Sequence, residues 1–190
     1  MLLGELMKRV LFCLALMAAV GGLFLPALAQ KPLRAPDVRY EPSTEEQTLA
    51  MLKLAGVTEK DVVYDLGCGD GRLVILAAKQ FGARAVGIDI DPERIKDSTA
   101  NAQKAGVSRR VKFLNQDLFE AKIGNATVVT LYLWPSVNMK LRPKLLKDLK
   151  PGTRVVSNMH DMGDWLPDNS IKADGHNIYL WTIPASQAKK

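Results

Sequence analysis

Between residues 43 and 183 the chain switches repeatedly between two hydrophobic rhythms. Short apolar runs of strand length occur at 61–66 (DVVYDL), 83–89 (ARAVGID), 110–117 (RVKFLNQD), 126–134 (ATVVTLYLW) and 153–159 (TRVVSNM). The stretches between them carry apolar residues at helical spacing. A first helix is expected at Ser43, which forms a capping-box pattern with Glu46. Leu49, Leu52 and Ala55 make its buried stripe, and Gly56 ends it. Residues 71–81 (GRLVILAAKQF) are apolar almost all round, which predicts a buried helix. Asp91 caps a third helix with Pro92 at its first position, running to about Ala105 and stopping at Gly106. A fourth helical segment spans Ser136 to Leu149, and Pro143 is expected to interrupt or restart it. Two final strands, 170–173 and 177–183, have only a tight turn between them.

Strands that alternate with helices pair in parallel, because each return path needs a crossover. Right-handed crossovers then predict a doubly wound, mostly parallel sheet of the α/β class, here seven-stranded. The closing turn makes the C-terminal strand antiparallel to the one before it. Residues 43–185 form one domain of ordinary size. Residues 30–42 (QKPLRAPDVRYEP), with three prolines, read as an extended linker.

The N-terminus changes the picture of where this domain works. Lys8 and Arg9 precede an uncharged apolar run, residues 10–25, followed by Pro26 and a small-residue exit at Ala29. Those are the parts of a secretory signal peptide cleaved after Ala29. Left uncleaved, the same run is only slightly short of a membrane span and would act as an anchor. Residues 1–29 are therefore expected to be a signal peptide or a membrane anchor, and the domain exported or membrane-associated. Of the two cysteines, Cys13 lies in that segment, so Cys68 alone remains and no intramolecular disulfide can form. The net charge of +6 is compatible with anionic partners without specifying nucleic acid. Two histidines and one mature cysteine without ligand spacing predict no metal site.

The chemistry is concentrated in YDLGCGDGR, residues 64–72. Gly67, Gly69 and Gly71 follow the first strand at alternate positions, flanked by Asp65 and Asp70. In an open parallel sheet ligands bind beyond the carboxyl ends of the strands, and this turn is delivered to that edge. A dinucleotide would want G-x-G-x-x-G, but the position of the third glycine is Arg72. Acids beside the turn suit a ligand that carries an ammonium or sulfonium. Asp89, ending the second strand, is placed to accept both hydroxyls of a ribose, since Asp91 already serves as the cap. Asp117, ending the third, is the candidate acceptor for an adenine amino group. Asp70 either holds the ammonium of such a ligand or pairs with Arg72, and Cys68 is a small spacer within the ligand-binding turn.

VVYDLGCGDGR, VGIDIDP and FLNQDLF resemble the successive cofactor motifs of class I S-adenosylmethionine-dependent methyltransferases. The resemblance spans roughly residues 40–183 and implies a Rossmann-like methyltransferase fold with S-adenosyl-L-methionine as cofactor. More narrowly, YEPST, LYLWPSVN and GTRVVSNMHDMGDW are similar to the small lysine methyltransferase family that includes the mitochondrial ATP synthase c-subunit lysine methyltransferase. That implies a protein-lysine acceptor. Acceptor residues are then expected after the fourth strand, at Tyr132, Trp134, Pro135 and Ser136, which could equally be ordinary rim aromatics and their neighbours. His160 and Asp161 follow the fifth strand on the same edge, as acceptor-orienting groups or as a loop cap. The Asn-Pro-Pro-Tyr signature of adenine and amide methylases is absent, which argues against nucleobase and glutamine acceptors, and nucleic acid is not expected as a partner. Lys140, Arg142, Lys144, Lys147 and Lys150 crowd one helix as a solvated face or a lipid-facing one. Two other readings stay open: a small-molecule acceptor, and an exported binding protein without catalysis. Oligomeric state is not readable.

Overall fold

The structure, a computed structural model, describes residues 33–185. Residues 1–29, expected to be a signal peptide or anchor, lie outside the described residues. Among the described residues no helix is long and apolar enough to cross a membrane.

The order of elements is α1 (Glu45–Leu54), β1 (Val62–Leu66), α2 (Arg72–Phe81), β2 (Arg84–Asp89), α3 (Pro92–Lys104) and β3 (Val111–Asn115). Then follow β4 (Val128–Leu131), α4 (Pro135–Asp148), β5 (Arg154–Asn158), β6 (Asn169–Ala173) and β7 (His176–Thr182). The seven strands form one sheet in the order β3-β2-β1-β4-β5-β7-β6. The first five are parallel, while β7 is antiparallel to both β5 and β6. This is the α/β, doubly wound, mostly parallel sheet that the alternation of rhythms predicts.

Two apolar layers enclose the sheet. On one face Met51, Leu52, Val74 and Ala77 of α1 and α2 pack on Val63, Ala85, Val128 and Val156. On the other, Leu141 and Leu145 of α4 pack on Leu66, Val129, Leu131, Val155 and Trp181. The central strands are buried on both faces, which explains their nearly continuous apolar runs.

Three local expectations are corrected. The cap of α1 sits one residue later than the Ser43–Glu46 pattern. Thr44 accepts from the Gln47 N–H at 3.2 Å, and the Gln47 side chain accepts from the Thr44 N–H at 3.1 Å. The fourth strand ends at Leu131, short of Trp134, because its neighbour β1 ends at Leu66, opposite Leu131, and offers no further ladder partner. Pro143 does not interrupt α4, which runs on through it. Its side chain is exposed, and buried Leu141 and Leu145 hold the helix on either side of it.

The order reverses between β1 and β4, since the chain builds outward from β1 to β3 and then returns to β4. In such sheets the crevice at that switch point is where ligands bind.

Candidate cofactor and acceptor site

A cavity opens at this switch point, walled by the glycine turn, the ends of β2 and β4, and residues 34–43 of the segment before α1. The turn is shaped by backbone that L side chains rarely adopt. Gly69 has φ +52°, and a Cβ there would stand 2.4 Å from the Tyr40 ring. Gly71 has φ +80°, and a Cβ there would meet the Phe113 ring at 2.8 Å. The Gly67 and Cys68 N–H groups both donate to the Ile88 carbonyl, at 2.8 and 3.0 Å, which locks the turn onto β2. Cys68 is a buried spacer whose thiol is pushed well up by burial, so it supplies no thiolate.

Three carboxylates surround the turn. Asp65, 7% exposed, accepts from the Thr130 hydroxyl at 2.7 Å. Burial pushes its carboxyl up to about 7 against that hydrogen bond, and the charges of Asp89 and Asp70 push the same way. Asp89, half-buried, accepts the Gly69 N–H at 2.8 Å on one oxygen and the Asp91 N–H at 3.0 Å on the other. Each oxygen keeps a free lone pair. Asp91 caps α3 through the Glu93 N–H, as expected. Asp70 pairs with Arg72 through contacts of 2.7 and 3.0 Å, which is the second of its two expected roles. Burial would raise the Asp70 carboxyl, but the Arg72 hydrogen bonds and charge outweigh it and hold it low.

Asp117 lies two residues beyond β3 and lines the cavity, but its carboxylate is engaged by Arg34, at 2.5 and 3.0 Å, and by the Phe119 N–H at 2.9 Å. The segment expected to be a plain linker is therefore a strap. Arg34 stacks on Phe119 at 5.2 Å, Arg94 on Tyr40 at 4.8 Å, and the Arg72 guanidinium donates to the Ser43 carbonyl at 2.6 Å. Sequence reasoning missed Arg34, Tyr40 and Glu41, as well as Gln116 and Leu133 of the cavity wall. The sequence signals for the strap were its three prolines, which limit the freedom of an otherwise unstructured segment, and the YEPST motif at its end, to which no contact had been assigned.

Of the four acceptor candidates, Tyr132 is half-buried and lines the cavity. Trp134, 57% exposed, caps α4 by its backbone, and Pro135 and Ser136 open the same helix on the surface. None of these three lines the cavity, and Leu133 and Val137 do. Burial raises the Tyr132 hydroxyl, and the Glu41 charge adds to that. Among the described residues no cluster of acids, histidines and cysteines could hold a metal ion.

S-adenosylmethionine fits this donor set on three counts. Gly67 and Gly69 bring bare backbone to the cavity while Gly71 lies off it against Ser98 and Phe113, Asp89 keeps lone pairs for a ribose diol, and a buried carboxyl raised to about 7 lies where a cation would compensate it.

The ANTKMT methyltransferase domain family matches over residues 65–169. A protein of Saccharolobus islandicus named protein-lysine N-methyltransferase is 46% identical over 153 residues, covering 78% of this chain and 95% of its own length. An ATP synthase c-subunit lysine N-methyltransferase of Xenopus laevis is 30% identical over 177 residues, 90% of this chain and 76% of that protein. A crystal structure from Salinibacter ruber, described as an RNA methyltransferase in complex with S-adenosyl-L-homocysteine, superposes with TM-score 0.76. It is 55% identical and covers 76% of this chain and 95% of that one.

Proposed function

We propose, from the premise that this chain belongs to the ANTKMT methyltransferase domain family, that it methylates the side-chain amine of lysine in another protein. The chain is an S-adenosylmethionine-dependent methyltransferase. What carries the choice of acceptor is the wall at the end of β4: Tyr132 in the cavity with the Glu41 carboxylate beside it. An aromatic face and an anion receive a cationic side chain and repel a phosphate. The relatives from Saccharolobus islandicus and Xenopus laevis, both named as lysine methyltransferases, support the same reading.

S-adenosylmethionine supplies a methyl carbon already activated by its sulfonium. The protein then has to orient, desolvate and deprotonate. Gly67 and Gly69 let the backbone approach the cofactor closely, and Asp89 fixes the ribose. The strap, with Tyr40 over the turn, excludes water. Tyr132 offers the amine a partly dry approach, and desolvation lowers a lysine pKa.

One observation favours a second reading. The Salinibacter ruber structure is described as that of an RNA methyltransferase, at 55% identity. A single labelling experiment separates the two. The full chain is given S-adenosylmethionine with a labelled methyl group, total protein and total RNA, and the products are hydrolysed and resolved. Labelled methyl-lysine supports the protein acceptor, and labelled nucleosides with unlabelled protein overturn it.

The expectation for residues 1–29 is part of this proposal: a signal cleaved after Ala29, or an anchor through residues 10–25. The mass of the native N-terminus decides between them.

A further inference from the structure

The two histidines of the chain meet at one place, outside the cofactor cavity. His176 begins β7, its ring 5.9 Å from that of Tyr132. His160 follows β5, and burial lowers its pKa, with the charge of His176 acting in the same direction and those of Asp161 and Glu41 opposing. Met159, a non-glycine residue at φ +69°, turns the chain sharply between Asn158 and His160. Backbone of that kind is strained for a residue with a side chain and persists where the surroundings hold it. Tyr132 therefore links the two places: with Glu41 it lines the cofactor cavity, its ring lies against His176, and Glu41 and His176 both act on His160.

A chain of hydrogen bonds fixes the state of His176. The Thr44 backbone N–H can only donate, and it does so to Gln47 Oε1 at 3.1 Å. The Asp174 backbone carbonyl can only accept, and it does so from Gln47 Nε2 at 3.3 Å. The Gln47 amide therefore has one orientation. Its Oε1 faces Asn158 at 3.2 Å, so that group of Asn158 must be the donor, Nδ2, which also donates to Ser43 Oγ at 3.2 Å. Asn158 Oδ1 is left facing His176 Nδ1 at 3.1 Å, and this nitrogen must carry a proton. Neutral His176 then holds its lone pair on Nε2, which makes no hydrogen bond among the described residues.

We propose that His176 Nε2, beside Tyr132 at the end of β4 and held in this tautomer by Asn158, takes the proton that an acceptor ammonium must lose before methyl transfer. This deepens the lysine reading and rests on it. The lysine ammonium gives its proton to Nε2, leaving a neutral amine and an imidazolium. The amine lone pair forms the new N–C bond while the S–C bond breaks with its electron pair retained by sulfur. The product is a methylammonium and a neutral thioether, and the imidazolium proton goes to solvent. His176 acts as a general base, and Asn158 is a positioning residue. Tyr132 after β4 lies against His176, β6 places Ala173 opposite it, and His160 after β5, with Asp161 and Glu41 around it, is close enough to feel its charge. Their balance is anionic, which suits the transient imidazolium.

The test uses the full chain with ¹⁵N-labelled histidine, the two signals assigned with His160→Gln. The proposal expects neutral His176 to show a protonated Nδ1 and an unprotonated Nε2, and Asn158→Leu to give mixed tautomers. His176→Gln should lower kcat for lysine labelling by about 100-fold or more, with cofactor affinity unchanged as proof of folding, and should flatten the acid limb of the pH–kcat profile. A protonated Nε2 in the wild type overturns the proposal without any variant. Labelled lysine with unchanged kcat and pH profile in His176→Gln overturns it and leaves the lysine acceptor standing. Label found only in RNA overturns both.

Discussion

Arg34 grips Asp117 through two hydrogen bonds, at 2.5 and 3.0 Å, and so ties the strap to the chain just beyond β3. The pair is partly exposed, 36% for the Arg34 side chain and 14% for Asp117. It occupies the carboxylate that the sequence assigns to an adenine amino group. Asp117 has four acceptor sites, and with the Phe119 N–H three are taken, so one is left while the strap is closed.

Arg34→Ala should therefore loosen the strap and speed both entry and exit of the cofactor. The expected change is up to about fivefold in each rate, the equivalent of about 1 kcal/mol for a partly exposed pair. Stopped-flow fluorescence with S-adenosylhomocysteine measures both rates. Unchanged rates would make the strap a fixed wall.

Asp89→Ala should weaken S-adenosylmethionine binding by about 1.5–3 kcal/mol, the value of hydrogen bonds to a charged acceptor. The structure adds a second loss, because Asp89 also accepts the Gly69 and Asp91 N–H groups. Asp89→Asn keeps the shape and one oxygen, so its affinity should fall between wild type and Asp89→Ala. Calorimetric titration orders the three proteins, and equal affinities would take Asp89 out of the site.

Asp65 makes cofactor binding pH-dependent. Its folded carboxyl, raised to about 7 by burial, lies above the unfolded value of about 3.9. For a raised acid the folded state holds more protons, so the contribution to stability is present below about 4 and is lost as pH rises toward about 7. A bound cation favours the ionised form and reverses that loss. Affinity for S-adenosylmethionine should rise with pH between about 5.5 and about 7.5 by about tenfold, the equivalent of one unit of coupling. Asp65→Asn should flatten the rise in titrations across that range. A flat wild-type profile would show that no cation reaches Asp65.

What was legible in the sequence was local. The glycine turn, the Asp91 cap and the strands near the switch point follow from periodicity and short-range chemistry, so they were read to within a few residues. The strap was not. Residues 33–43 have no period, and their contacts reach 83 residues along the chain to Asp117 and 29 from Ser43 to Arg72. The His176 tautomer is further still from local pattern, since it depends on a Gln47–Asn158 contact across 111 residues. Trp134 misled because apolar character ran on past the last ladder partner, Leu131.

Gly69→Val should act first on the strap. A branched Cβ at φ +52° is strained in itself and would collide with Tyr40. Loss of cofactor affinity is expected with far-ultraviolet circular dichroism close to wild type. Combining it with Tyr40→Ala removes the collision, so partial recovery of binding is expected. No recovery at all would assign the loss to the turn backbone alone.

Tyr132 and Trp134 should separate cleanly, although the sequence grouped them. Tyr132 lines the cavity and lies against His176, so Tyr132→Ala should lower methyl transfer by about 10- to 100-fold through misplacement of the acceptor. Cofactor affinity should change little, because the turn and Asp89 are untouched. Trp134 stands outside the cavity and is more than half exposed. Trp134→Ala should leave kcat near wild type and raise KM for the acceptor protein if the ring touches it there. Tyr132→Phe isolates the hydroxyl beside Glu41: near-normal transfer would show that the ring is the useful part. Labelling of lysine by the four proteins, with cofactor affinity in parallel, reads all of these. Equal kcat for Tyr132→Ala and wild type would move the acceptor path away from the end of β4.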